Sequence, residues 1–80
     1  MIKVKSKSYQ GTTVNVLIEF DLGASIYERN VSAQISQVLG MTVDHVKNWV
    51  IGFVNNQRKT LQEQSLDTMF NQLIGVDLEE

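Results

Sequence analysis

The sequence predicts an α+β domain: an N-terminal antiparallel β-hairpin packed on a three- to four-helix bundle that contains a helix-turn-helix. Three observations predict it. Apolar and polar residues alternate with strand period through residues 2–22. Apolar stripes at helical spacing follow from Val31 onward. Glycine or a capping residue stands at each boundary between those stripes. At 80 residues the chain is a single domain with a thin core. Its parts are a hairpin over 1–22, a helix-turn-helix region over 25–58, a C-terminal helix over 60–75 and an acidic tail over 76–80.

In the first strand, Ile2, Val4, Ser6 and Ser8 point one way and Lys3, Lys5, Lys7 and Tyr9 the other. Gln10-Gly11-Thr12-Thr13 is a turn, with Gly11 able to take positive φ. Val14, Val16, Ile18 and Phe20 then form one apolar face, opposite Asn15, Leu17, Glu19 and Asp21. Pairing Val4 with Ile18 and Ile2 with Phe20 keeps both apolar faces on one side and sets Lys3 across from Glu19. A lone hairpin is unstable in water, so this face must be covered.

After Gly23, Ser25-Ile26-Tyr27-Glu28 has the spacing of a capping box, so a helix starts there or restarts near Asn30. Val31, Ile35, Val38 and Leu39 carry it to Gly40, which ends it by the left-handed route. Thr42 caps the next helix, whose stripe is Val46, Trp49, Val50, Phe53 and Val54; Trp49 is expected in the core. The stripe fades through Asn55-Asn56-Gln57, and Thr60-Leu61-Gln62-Glu63 is a second capping box. Leu66, Met69, Phe70, Leu73 and Ile74 give the last helix, with Gly75 as its C-cap.

Composition removes several classes. There is no cysteine, so disulfides and zinc ribbons are excluded, and His45 alone cannot build a histidine metal site. No cofactor is expected. No paired carboxylates or Ser/His/Asp set can be placed on facing elements, which argues against an enzyme. No apolar run reaches the ~18 residues of a membrane span, and the charged, alternating start is not a signal peptide. These features fit a cytoplasmic protein.

The formal charge of −2 is unevenly spread. Residues 1–59 hold seven bases against four acids, leaving +3. Residues 60–80 hold five acids and no base. That segment is either a solvated tail or the side turned away from a polyanion. Lys3, Lys5 and Lys7 are either a phosphate-contacting ridge or a guard against edge pairing. Arg58 and Lys59 suit a helix C-terminus and a phosphate equally.

Ile35, Ser36, Leu39, Gly40, Met41, Thr42, Val46 and Trp49 together resemble the helix-turn-helix of Cro and phage-repressor proteins. The resemblance covers residues 32–52, with Gly52 where many such repressors also have glycine. Each position has a structural reason: Ser36 is small for a close helix crossing, Met41 plugs the turn, and Val46 and Trp49 anchor the second helix. Val46-Lys47-Asn48-Trp49 also echoes the third helix of homeodomains, but Gly52 stands where their base-reading asparagine belongs. The chain departs from the repressor pattern in having a hairpin where a full helix should precede the motif. Lys47 is also the lone base on the reading helix.

The resemblance implies a small sequence-specific DNA-binding protein, a transcriptional regulator of a phage or plasmid. Thr42, Val43, Asp44, Lys47 and Asn48 would enter the major groove. Ser32, Gln34, Arg58, Lys59 and the hairpin lysines would hold phosphates. Two reading heads are needed, so a homodimer on double-stranded DNA is expected. The alternative is a protein-interaction module, a small inhibitor or adaptor that uses the helix-turn-helix as scaffold. The acidic 60–80 segment, the weakly basic reading helix and an exposed hairpin edge support it.

Overall fold

The computed structural model describes residues 1–79. Three strands, β1 (Ile2–Gln10), β2 (Thr13–Leu22) and β3 (Ser25–Gln34), form an antiparallel sheet in the order β1-β2-β3. A short helix α1 (Ile35–Leu39) and a long helix α2 (Val43–Asn71) follow. The chain extends 60 × 24 × 19 Å.

The first hairpin has the predicted register: Ile2 pairs with Phe20, Lys3 with Glu19 and Val4 with Ile18. Gly11 sits in its two-residue turn at φ 59°. Beyond Val4 the ladder slips by one residue, leaving Lys5 unpaired in a bulge. Every later β1 residue therefore changes face, so Lys7 stands opposite Val16 and Tyr9 opposite Val14. The expected division of β1 into one apolar and one basic face thus holds only up to the bulge. The bulge has a use on the open face of the sheet. Glu19 and Glu28 stand directly opposite each other, a like-charge pair that alone would destabilise the sheet. Lys5 Nζ lies 2.9 Å from Glu28 and 3.3 Å from Glu19 and neutralises both.

The helix expected from Ser25 is instead strand β3. Gly23, at φ 62°, opens a second two-residue hairpin turn of the same kind as the first. Tyr27, Arg29, Val31 and Ala33 then alternate inward, paired with Phe20, Ile18, Val16 and Val14. The Phe20 and Tyr27 rings stack at 5.8 Å, and Arg29 lies over Tyr27 at 5.5 Å. A full cross-strand ladder with aromatic pairing outweighs one local capping box.

The other large correction is α2. The three- to four-helix bundle is absent: among the described residues there are two helices, and the predicted helices on either side of Thr60 are one 29-residue helix. Continuity follows from packing. Val50, Val54, Gln57 and Leu61 keep a single inward stripe, and Val50, Val54 and Leu61 meet the sheet core. Arg58 also reaches across to the sheet. Its Nε donates to the Asp21 carbonyl at 2.9 Å, and its Nη2 donates to Asp21 Oδ1 at 2.8 Å. Asp21 Oδ1 also accepts from the Met1 ammonium at 2.8 Å. Breaking the helix at 55–60 would give up these contacts.

Gly40 is corrected too: its φ of −79° is right-handed, and no left-handed residue is used between α1 and α2. Thr42 is the N-cap of α2, its hydroxyl accepting from His45 N at 3.2 Å. Gly75 is left-handed at φ 79°, but it lies past the helix end, whose cap is Gln72. Of the tail over 76–80, Glu80 lies outside the described residues.

The core is small. Ile18, Phe20, Val50 and Val54 are buried, with Val16, Tyr27, Val31, Trp49, Phe53 and Leu61 half-buried around them. Trp49, expected in the core, packs on its margin. α2 crosses one face of the sheet; the other is polar and open to solvent.

Candidate interaction surfaces

Two apolar surfaces remain uncovered. The first is a groove of about 680 Å³ between the edge strand β1 and the start of α2. Met1, Ile2 and Val4 form one wall, and Val43, Val46, Val50 and Ile51 form the other. Met41 and Lys47 also line it. It forms because one helix is too narrow to cover a three-stranded sheet. Val46 and Val50 turn toward the sheet, and the flanking Val4 and Val43 are left 56% and 85% exposed.

The second surface is the stripe Leu66, Met69, Phe70, Leu73 and Ile74 near the C-terminal end of α2, where every residue from Gln62 to Glu79 is exposed. At 100° per residue, the five steps from Leu61 to Leu66 turn the apolar side by roughly 140°. The helix is therefore apolar toward its own sheet up to Leu61 and apolar on nearly the opposite side beyond Leu66. The stripe also lies past the end of the sheet core, so none of the described residues covers it.

The sequence-predicted site residues do not form one cluster. Thr42, Val43, Asp44, Lys47 and Asn48 occupy the first two turns of α2 and are all exposed. Val43 and Lys47 face the groove; Asn48 lies about 160° around the helix from Val50, on the outward side. Asp44 sits in the first turn, where an acid suits the helix dipole.

The four phosphate candidates are scattered. Ser32 hydrogen-bonds Asn15 on the open sheet face, away from α2. Gln34 ends β3 and borders a shallower hollow with Thr12, Ser36 and Leu39. Arg58 is occupied at Asp21. Lys59 is exposed, 3.9 Å from Glu63. Among the described residues no group of His, Asp or Glu is placed to hold a metal ion, and no helix is long and apolar enough to cross a membrane.

Two carboxylate-centred clusters have shifted ionisation. The Asp21 carboxyl is held below its ordinary value, chiefly by the hydrogen bond from the Met1 ammonium, with Arg58 adding to it. The Lys5 ammonium is held above its ordinary value, first by Glu28 and then by Glu19. The Asp21 cluster fastens the sheet to α2, and the Lys5 cluster fastens the three strands to one another.

No family model, curated protein or solved structure matches the chain.

Proposed function

We propose that the chain is a protein-interaction module. The observation that carries this is the pair of uncovered apolar surfaces: a groove beside a free strand edge, and a helical stripe turned away from the sheet. Exposed apolar patches of this extent mark sites that other proteins cover. Grooves beside a helix accept amphipathic segments with anchors at i, i+3, i+4 and i+7. Display of random helical peptides against the chain at nanomolar concentration, where dilution keeps it free of self-association, tests the reading. Peptides with that anchor spacing should enrich on the parent protein and not on Val43→Asp. Equal enrichment on the two proteins, or none on either, would refute it.

The second reading is sequence-specific DNA binding by the start of α2. It is favoured by the Thr42-capped, solvent-exposed first turns that present Lys47 and Asn48. Its test is retention on duplexes from a random pool as salt rises, because phosphate contacts give a steep salt slope.

A further inference from the structure

We propose that the occupant of both apolar surfaces is a second copy of this chain, the two copies exchanging helix ends so that each stripe lies in the other's groove. This rests on the interaction-module reading and names the partner. Four observations lead to it.

The chain exposes too much surface to stand alone. Its accessible area is 6191 Å², whereas a folded monomer of this mass exposes about 4,900 Å². The surplus of roughly 1,300 Å² exceeds the ~800 Å² that each partner buries in a stable interface. The radius of gyration agrees: 17.6 Å, against about 12 Å for a compact chain of this length.

The surfaces match in length. The groove runs along α2 from Val43 to Ile51, and the stripe runs from Leu66 in α2 to Ile74 in the turn that follows it. Each covers eight residue steps, about 12 Å at the helical rise. They match in charge as well. The stripe segment carries Glu63, Asp67, Asp77 and Glu79 with no base after Lys59, and Lys47 lines the groove.

Finally, α2 is continuous from Val43 to Asn71, so a chain cannot fold its stripe back into its own groove. A second copy running antiparallel can, provided the two helices cross obliquely, so that the partner passes from the sheet side of α2 at Val43–Ile51 to the far side at Leu66–Ile74; the exchange is reciprocal. Both grooves and both stripes are covered by one two-fold axis, and the assembly closes at two. Residue 47 of one copy then lies level with residue 70 of the other.

The absence of cysteine makes site-directed cross-linking clean. Lys47→Cys and Phe70→Cys are prepared separately; both positions are exposed, so neither change disturbs the core. Mixed and oxidised, they should give mainly the Lys47→Cys/Phe70→Cys heterodimer. Predominant self-cross-linking of Phe70→Cys would mean that stripes pair with each other, and would overturn the exchange. Sedimentation of the parent should show a dimer at micromolar concentration, and Phe70→Glu should raise its dissociation constant about 30-fold or more, with unchanged circular dichroism. A parent that stays monomeric to hundreds of micromolar overturns the proposal. If it does so while display still enriches groove-binding peptides, the module reading stands and the partner is another protein.

Discussion

Removing the hydroxyl from Thr42 and from Thr60 should have opposite effects. Sequence pattern gives both threonines the same role, an N-cap at the start of a helix. In the structure only Thr42 is a cap, with its hydroxyl 3.2 Å from His45 N. Thr60 lies inside α2, is exposed, and has helix on both sides. Thr42→Ala should leave a helix-terminal N–H without its partner and cost about 1 kcal/mol. Thr60→Ala should replace a β-branched residue by the best helix former and stabilise by roughly 0.5 kcal/mol. The gap of about 1.5 kcal/mol that these values imply is well outside the error of comparing urea midpoints. Both variants and the parent should be compared at one protein concentration, because association would shift apparent stability by mass action. A Thr60→Ala protein destabilised by as much as Thr42→Ala would mean that α2 is two helices, and the continuity on which the exchanged dimer depends would be lost.

Gly40→Ala should be neutral or stabilising by up to about 1 kcal/mol, since the backbone there is right-handed and an added Cβ meets only the Gln37 carbonyl oxygen at 3.6 Å. Gly23→Ala, at φ 62°, should cost about 1 kcal/mol or more, both changes being read from urea midpoints. Val54→Ala should cost about 2–3 kcal/mol, from two buried methyl groups and the cavity they leave; Val54 is fully buried in a core with no other layer to close over the gap. The Asp21 carboxyl, depressed in the folded state, adds stability that is present above its unfolded value of 3.8 and lost as pH falls through the lower folded one. Asp21→Asn should therefore flatten the acid limb of a stability-versus-pH curve. Lys5 has the opposite sign: its raised folded value adds stability that is full below 10.5 and fades as pH rises through that higher value. Lys5→Met should remove that alkaline decline.

The first hairpin is legible because period-two alternation and the Lys3–Glu19 pairing specify the register up to Val4. Gly11 in the two-residue turn specifies the register beyond it, one residue out of step. The one-residue mismatch between those registers requires a bulge, but its place at Lys5 is not legible, since it serves Glu28, a residue of a strand that the local pattern hides. Ser25 and Glu28 match a capping box by spacing alone, and that match suggests a helix. Tyr27, Val31 and Ala33 alternate beside it and, with Gly23 as a hairpin turn, are the signal for the strand. At α2 the pattern truly breaks: the apolar side turns by roughly 140° between Leu61 and Leu66, and two helices are the simplest explanation for one chain. A single helix with two apolar sides makes sense only when a second body meets the second side. Of the candidate site, the exposure of Thr42 to Asn48 is legible. The groove is not, because it depends on β1 and α2 coming together and leaving Val4 and Val43 uncovered.

The exchanged dimer also decides how much weight DNA binding can bear. With residue 47 of one copy level with residue 70 of the other, the two Lys47 side chains are separated by 23 helical steps, about 35 Å along the axis. That is one turn of B-DNA, the spacing at which paired reading helices meet successive major grooves. Spacing therefore favours DNA, but charge opposes it. Each exchanged helix end brings Asp67, Asp77 and Glu79 toward the partner's Lys47 and Asn48, and the dimer carries twice the −2 of one chain. Affinity for DNA comes chiefly from neutralising phosphates. Of the bases proposed to hold phosphates, Arg58 is committed to Asp21 and Lys5 to two glutamates. The expected outcome is that the parent elutes from random duplex at low salt with a shallow slope. If it instead binds one sequence with half-sites one turn apart, Asn48→Ala should cost about 1–3 kcal/mol on that site alone. That result would make the acidic helix ends a restraint on a DNA-binding dimer rather than a reason to doubt one.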